Sequence, residues 1–123
     1  MTGGSQGGNN TGMLNPAPAQ DLDPARELDP APVLDALALH PTLRVFVHDG
    51  RVPALPARMA KRRVLLNEVA LAFEPGIQYP EPQVDDFLRR IHPDHAALRR
   101  YMVDAEFLER EDGMYWRIGG SEV

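Results

Sequence analysis

The sequence predicts a mainly α domain with a small β component, arranged as a winged helix-turn-helix: a three-helix core closed by a C-terminal β-hairpin. Three observations predict it. Apolar residues fall at helical spacing in three separate stretches: Leu65, Leu66, Val69, Ala70 and Phe73; then Val84, Phe87, Leu88 and Ile91; then Leu98, Tyr101, Met102 and Ala105. Pro75-Gly76 and His92-Pro93 punctuate them, and the second pair leaves only a tight turn between the last two helices. Asp112-Gly113 then stands between two β-prone runs, 107–111 and 114–118, where it suits the positive φ angles of a two-residue hairpin turn.

Taken in order, residues 1–32 are rich in Gly, Asn, Pro, Ala and Asp with few large apolar groups, and are expected to form a disordered tail. The glycines of MTGGSQGGNNTG lack the Gly-Lys-Ser/Thr of a phosphate-binding loop, so they read as spacers. Residues 33–57 form an extension. VLDALAL at 33–39 gives a short helix ended by His40-Pro41, and Asp49-Gly50 gives a second hairpin candidate that Pro53 confines to a strand end or sheet edge.

The winged helix-turn-helix domain spans 58–118, followed by a short tail at 119–123. Its first helix covers 58–73, with Lys61, Arg62, Arg63, Asn67 and Glu68 largely outside the apolar face. Ile77-Gln78-Tyr79 has room for one isolated strand. Pro80 and Pro82 lead into the second helix, about 81–91, since proline is tolerated in a first turn. Asp94 stands where a side-chain oxygen can cap the third helix, about 94–106. Alternation in the hairpin puts Phe107, Glu109, Glu111, Met114, Trp116 and Ile118 on one face and Leu108, Arg110, Tyr115 and Arg117 on the other. Both faces mix apolar and charged groups, so the pattern leaves open which is buried.

Composition removes several function classes. There is no cysteine, hence no disulfide framework and no cysteine-ligated zinc. No run of apolar residues is long enough to span a bilayer, and the N-terminus lacks a secretory signal, so a cytoplasmic protein is expected. The only serines, Ser5 and Ser121, lie in the tails, and no hydroxyl or thiol nucleophile falls among the three helices. Asp85 and Asp86 are adjacent on a helix and diverge by about 100°, unlike a converging acid–base pair. No catalytic residue, cofactor or small-molecule substrate is expected. His92-Pro93-Asp94-His95 offers two imidazoles and a carboxylate, but a zinc site needs three or four ligands in defined geometry, and a capping Asp94 beside solvent-facing histidines accounts for the motif without metal.

The formal net charge of −5 belongs to the tails: residues 44–117 carry twelve basic and twelve acidic side chains. A neutral domain argues against tight non-specific nucleic-acid binding, which scales with the phosphates neutralised.

The segment from Phe46 to Arg117 resembles a bacterial family designated domain of unknown function 2087. The motifs that carry the resemblance are Asp49-Gly50-Arg51, Lys61-Arg62, Phe73 with Pro75-Gly76, Tyr79, Glu81, Val84 and Leu88. They continue with Asp94, Leu98-Arg99-Arg100, Asp104, Leu108, Arg110, Tyr115 and Arg117. Pro82 departs from the family pattern and is expected to shift the start of the second helix. In that family the domain occurs alone or beside helix-turn-helix regulators, which implies a role in transcription.

The leading expectation is therefore a small DNA-binding regulator, a homodimer because such modules commonly read paired half-sites. Its third helix would lie in the major groove of double-stranded DNA and its hairpin would form the wing. With Leu98 at the centre of the buried face, Ala96, Arg99, Arg100 and Val103 fall opposite it and His95 lies near the helix start. Arg can pair bidentately with guanine. The DNA-contacting set is His95, Arg99, Arg100, Arg110, Arg117, Lys61 and Arg62. The competing expectation is a winged helix used for protein interaction or dimerisation without DNA, in which Arg99 or Arg100 pairs with Asp85, Asp86, Asp104 or Glu106, and Arg110 and Arg117 cover Tyr115. Convergence of the basic side chains on one face would favour DNA; interruption by acids would favour interaction.

Overall fold

A computed structural model describes residues 27–120. It contains four α-helices and a small antiparallel sheet: α1 (Pro30–Leu39), α2 (Met59–Ala70), β1 (Tyr79–Pro80), α3 (Glu81–Ile91), α4 (His95–Asp104), β2 (Leu108–Glu111) and β3 (Met114–Arg117). One 3-10 turn, Arg44–Phe46, lies between α1 and α2. The tail expected at 1–32 falls outside the described residues as far as residue 26. Beyond that point the expectation is corrected, because α1 begins at Pro30, three residues early. The Asp29 side chain accepts a hydrogen bond from the Ala31 N–H, and prolines in the first turn lack the N–H that a helix start leaves unpaired. Leu28, Val33 and Leu37 are buried, so α1 shares the core of the other helices.

The three expected helical faces all turn inward. Leu65, Leu66, Val69 and Ala70 of α2, Val84, Phe87, Leu88 and Ile91 of α3, and Leu98 and Met102 of α4 are buried. Each large aliphatic side chain removed from water in this way contributes about 1.5–3 kcal/mol. Phe73 sits at the centre, edge-on to Tyr79 at 5.4 Å and to Phe87 at 5.5 Å between ring centroids. Pro82 does not displace α3, which starts at Glu81 and ends at Ile91 as its apolar spacing requires.

The hairpin register is the expected one: Glu111 faces Met114, Arg110 faces Tyr115, Glu109 faces Trp116 and Leu108 faces Arg117. Asp112 and Gly113 take φ values of 54° and 77°, as the two-residue turn demands. Leu108 and Tyr115 are buried, so theirs is the inner face. The strand at Tyr79 is not isolated. Tyr79 pairs with Tyr115 and Pro80 with Met114, which places β3 in the middle of a three-stranded sheet in the order β1-β3-β2. The Glu81 N–H also donates to the Gly113 carbonyl at 2.9 Å, tethering the hairpin turn to the start of α3.

Asp49-Gly50 forms the expected tight turn, with φ of 53° and 71°, but the flanks make only a single bridge between His48 and Arg51. The chain after it is needed elsewhere. The Val52 N–H donates to the Ile91 carbonyl at 2.7 Å, and an Arg51 guanidinium nitrogen donates to the Arg89 carbonyl at 2.5 Å. These bonds satisfy carbonyls that the end of α3 would otherwise leave open. Buried His92 completes the join, its Nδ1 lying 2.6 Å from the Val52 carbonyl oxygen.

Helix α4 stops in a six-residue return. Glu106 takes a left-handed φ of 65°, the Glu106 N–H bonds the Val103 carbonyl, and the Phe107 N–H bonds the Met102 carbonyl, both at 3.0 Å.

Candidate interaction face and the disposition of the basic side chains

The side chains expected to meet a ligand are distributed by the packing of α3, α4 and the sheet. Arg99 leaves the outer face of α4 and reaches α3, where its Nη1 hydrogen-bonds the Asp85 carboxylate and lies 3.8 Å from a Glu81 oxygen. The spacing of Glu81 and Asp85, four residues apart, puts both carboxylates on the side of α3 that α4 crosses. Only 21 % of the Arg99 side chain is exposed. Burial works against its charge, but the Asp85 hydrogen bond and the surrounding negative groups outweigh it and raise its pKa above the ordinary guanidinium value.

Tyr115 extends this network into the sheet. Its hydroxyl donates to Glu81 at 3.0 Å. Burial first, and the Glu81 carboxylate second, push the Tyr115 phenol above its usual range. A chain of polar contacts thus runs from β3 through α3 to α4, and Arg99 is one of its anchors.

The other arginines of the expected set are also engaged. Arg62 lies over the Tyr101 ring at 4.5 Å and donates to the carbonyls of Pro56 and Ala57, both at 3.2 Å. Arg110 lies 5.9 Å from the centre of the Tyr115 ring. Arg117 donates to the Gly119 and Phe73 carbonyls at 2.9 and 3.4 Å. That leaves Arg100 and Lys61 as the exposed cations of the set with no ion pair, side-chain hydrogen bond or ring contact among the described residues, while His95 is half-buried at the start of α4. The engaged basic groups are therefore taken up by different partners. Arg99 meets α3, Arg62 meets the loop before α2, and Arg110 and Arg117 meet the sheet and its end.

One side chain not singled out from the sequence stands out here. Arg63 lies over the Phe107 ring at 5.1 Å and donates to the Ala105 carbonyl at 3.4 Å. It lines two hollows on the surface. One, of about 290 Å³, is lined by Met59, Arg62, Arg63, Leu66, Tyr101, Asp104 and Ala105. The other, of about 470 Å³, is lined by Arg63, Val64, Asn67, Phe107 and Gly120. Met59, on the first hollow, is 68 % exposed, Val64, on the second, is 37 % exposed, and Ile118, just after β3, is 50 % exposed. Helical periodicity alone could not single out Arg63, because the Phe107 ring comes from a different element.

Among the described residues, no three His, Asp or Glu side chains come together as a metal site, and no helix is long and apolar enough to cross a membrane.

Comparison with known proteins adds one relationship. The family model described as an uncharacterized protein conserved in bacteria, domain of unknown function 2087, matches residues 51–117, more than half of the chain. The match runs from the Arg51 staple to the last residue of β3 and leaves α1 outside it. No curated protein and no solved structure matches the chain.

Proposed function

We propose that this chain, which belongs to that bacterial family, is a non-enzymatic winged-helix module that works by binding protein rather than by reading DNA. The fold half of the reading is supported by the element order from α2 to β3 and by the pairing of a short strand between the first two helices of the module with the last strand of the hairpin. The functional half rests on one observation. Arg99, the arginine best placed by sequence to meet a base edge, is held by Asp85 and Glu81. Releasing it to a guanine would leave two partly buried carboxylates without their counterion. The hairpin is similarly committed, with its turn tethered to α3, Arg110 near the Tyr115 ring and Arg117 donating to backbone carbonyls.

DNA contact stays as the second reading because Arg100 on α4 is exposed and without an ion pair among the described residues, with Lys61 as an exposed cation on α2. Gel retardation with fragmented genomic DNA at low salt separates the two. The interaction reading expects no retardation. Retardation that Arg100→Ala abolishes, with the fold unchanged, would establish the DNA reading instead. Arg99→Ala is the wrong probe for this purpose, because it removes a structural ion pair at the same time.

A further inference from the structure

We propose that the occupant of the α2–hairpin face is a second copy of this chain, bound across a two-fold axis. The inference rests on the interaction reading above and names its partner.

Charge is divided on this face. One flank carries Arg62 and Arg63, two cations to the single acid, Asp104, that lines the same hollow; their guanidinium groups stack on Tyr101 and Phe107 and make no ion pair with any described carboxylate. This contrasts with Arg89, Arg90 and Arg99, each of which has an acidic partner. The other flank is the outer face of the hairpin. Glu109 and Glu111 alternate with Leu108 and Arg110, whose side lies against the core and Tyr115, so the two carboxylates point away from it. Both glutamates are exposed and without ion pairs among the described residues.

The two flanks meet at Phe107. Its ring underlies Arg63, and its carbonyl accepts the Ile118 N–H at 2.9 Å. The 470 Å³ hollow lies at this junction, with exposed Val64 on its wall, and half-exposed Ile118 is joined through its backbone to Phe107, which lines it. A surface that carries a basic flank, an acidic flank and an apolar centre is complementary to itself when turned by half a revolution. Each basic flank then meets the partner's acidic flank, and each Ile118 can enter the partner's hollow. Trp116, half-buried on the same strand face as Ile118, adds the aromatic area that interface centres favour. A partner of another sequence would have to supply this matching pattern independently. A second copy supplies it by symmetry.

The experiment is sedimentation equilibrium on the full chain, comparing wild type with Arg63→Glu, with Glu109→Lys/Glu111→Lys, and with all three changes together. Melting curves establish that each variant folds. The wild type should be dimeric. Either charge reversal alone should raise the dissociation constant about tenfold or more, and the combination should restore it. Ile118→Glu tests the apolar centre without touching either charged flank, and should also dissociate the dimer. A wild type that stays monomeric, or a combined variant that stays dissociated, overturns the inference. Monomer without DNA retardation removes only the second-copy partner. Retardation of DNA by a dimer that obeys the charge swap overturns the interaction reading and leaves the interface standing.

Discussion

Arg99 of α4 and Asp85 of α3 form a hydrogen-bonded ion pair across the two helices, with about four-fifths of each side chain removed from solvent. Its partial burial makes it worth more to the fold than an exposed pair such as Arg90–Asp86. Replacing Asp85 by Ala should lower unfolding stability by about 1–3 kcal/mol, since it leaves a partly buried guanidinium with only the more distant Glu81. Arg99→Met should cost a comparable amount, because it leaves the largely buried Asp85 carboxylate and Glu81 without their counterion. Urea unfolding followed by circular dichroism reads both. Equal stability of Asp85→Ala and wild type would show that the pair contributes nothing.

The Tyr115 phenol gives the fold a defined alkaline limit. Its pKa is raised by burial and by the Glu81 carboxylate, so the folded chain holds this proton more tightly than the unfolded one, whose value is about 10. A raised value means that the associated stability is fully present below about pH 10 and is lost as pH climbs through the folded value. Tyr115→Phe should cost about 1–2 kcal/mol at neutral pH through the lost bond to a charged acceptor, and should flatten the decline above about pH 10. Denaturant midpoints measured across that range, for both proteins, provide the comparison. Parallel curves would assign the alkaline loss to another group.

Glu106 occupies a position that favours glycine. Its φ of 65° is left-handed, and its side chain is exposed. The two return bonds that end α4 need this conformation but not this side chain. Glu106→Gly should therefore stabilise the protein by about 0.5–1 kcal/mol, seen as a higher thermal midpoint. The opposite change belongs at Gly119, where a Cβ would stand 2.5 Å from the Glu106 carbonyl oxygen. Gly119→Ala should lower the midpoint, because both colliding groups are held by backbone. A lower midpoint for Glu106→Gly would mean that the carboxylate makes a favourable interaction outweighing the backbone cost.

Much of the architecture was legible because it rests on local rules. The apolar spacing of α2, α3 and α4 fixed which faces turn inward, and every residue of the first two faces is buried. Asp94 caps α4 through its bond to the Ala97 N–H, and Asp112-Gly113 set the hairpin register pair by pair. The start of α1 was missed because a run of prolines and alanines reads as an unstructured tail until Asp29 and the buried Leu28 tie it down. Tyr79 likewise joins a sheet only because Tyr115, distant in sequence, lies opposite it.

The sequence by itself determined the helices, the hairpin and the inventory of charge, since spacing, proline and turn chemistry act between near neighbours. What each charge does was decided only by the tertiary structure. Arg99, Arg100, Arg110 and Arg117 are alike along the chain, yet one pairs with Asp85, one has no partner among the described residues, one lies near the Tyr115 ring and one binds backbone carbonyls. The physical reason is that a cation's partner is set by which carboxylate, ring or carbonyl lies within a few ångströms. Those neighbours arrive from other elements when α3, α4 and the sheet close around Phe73 and Tyr79.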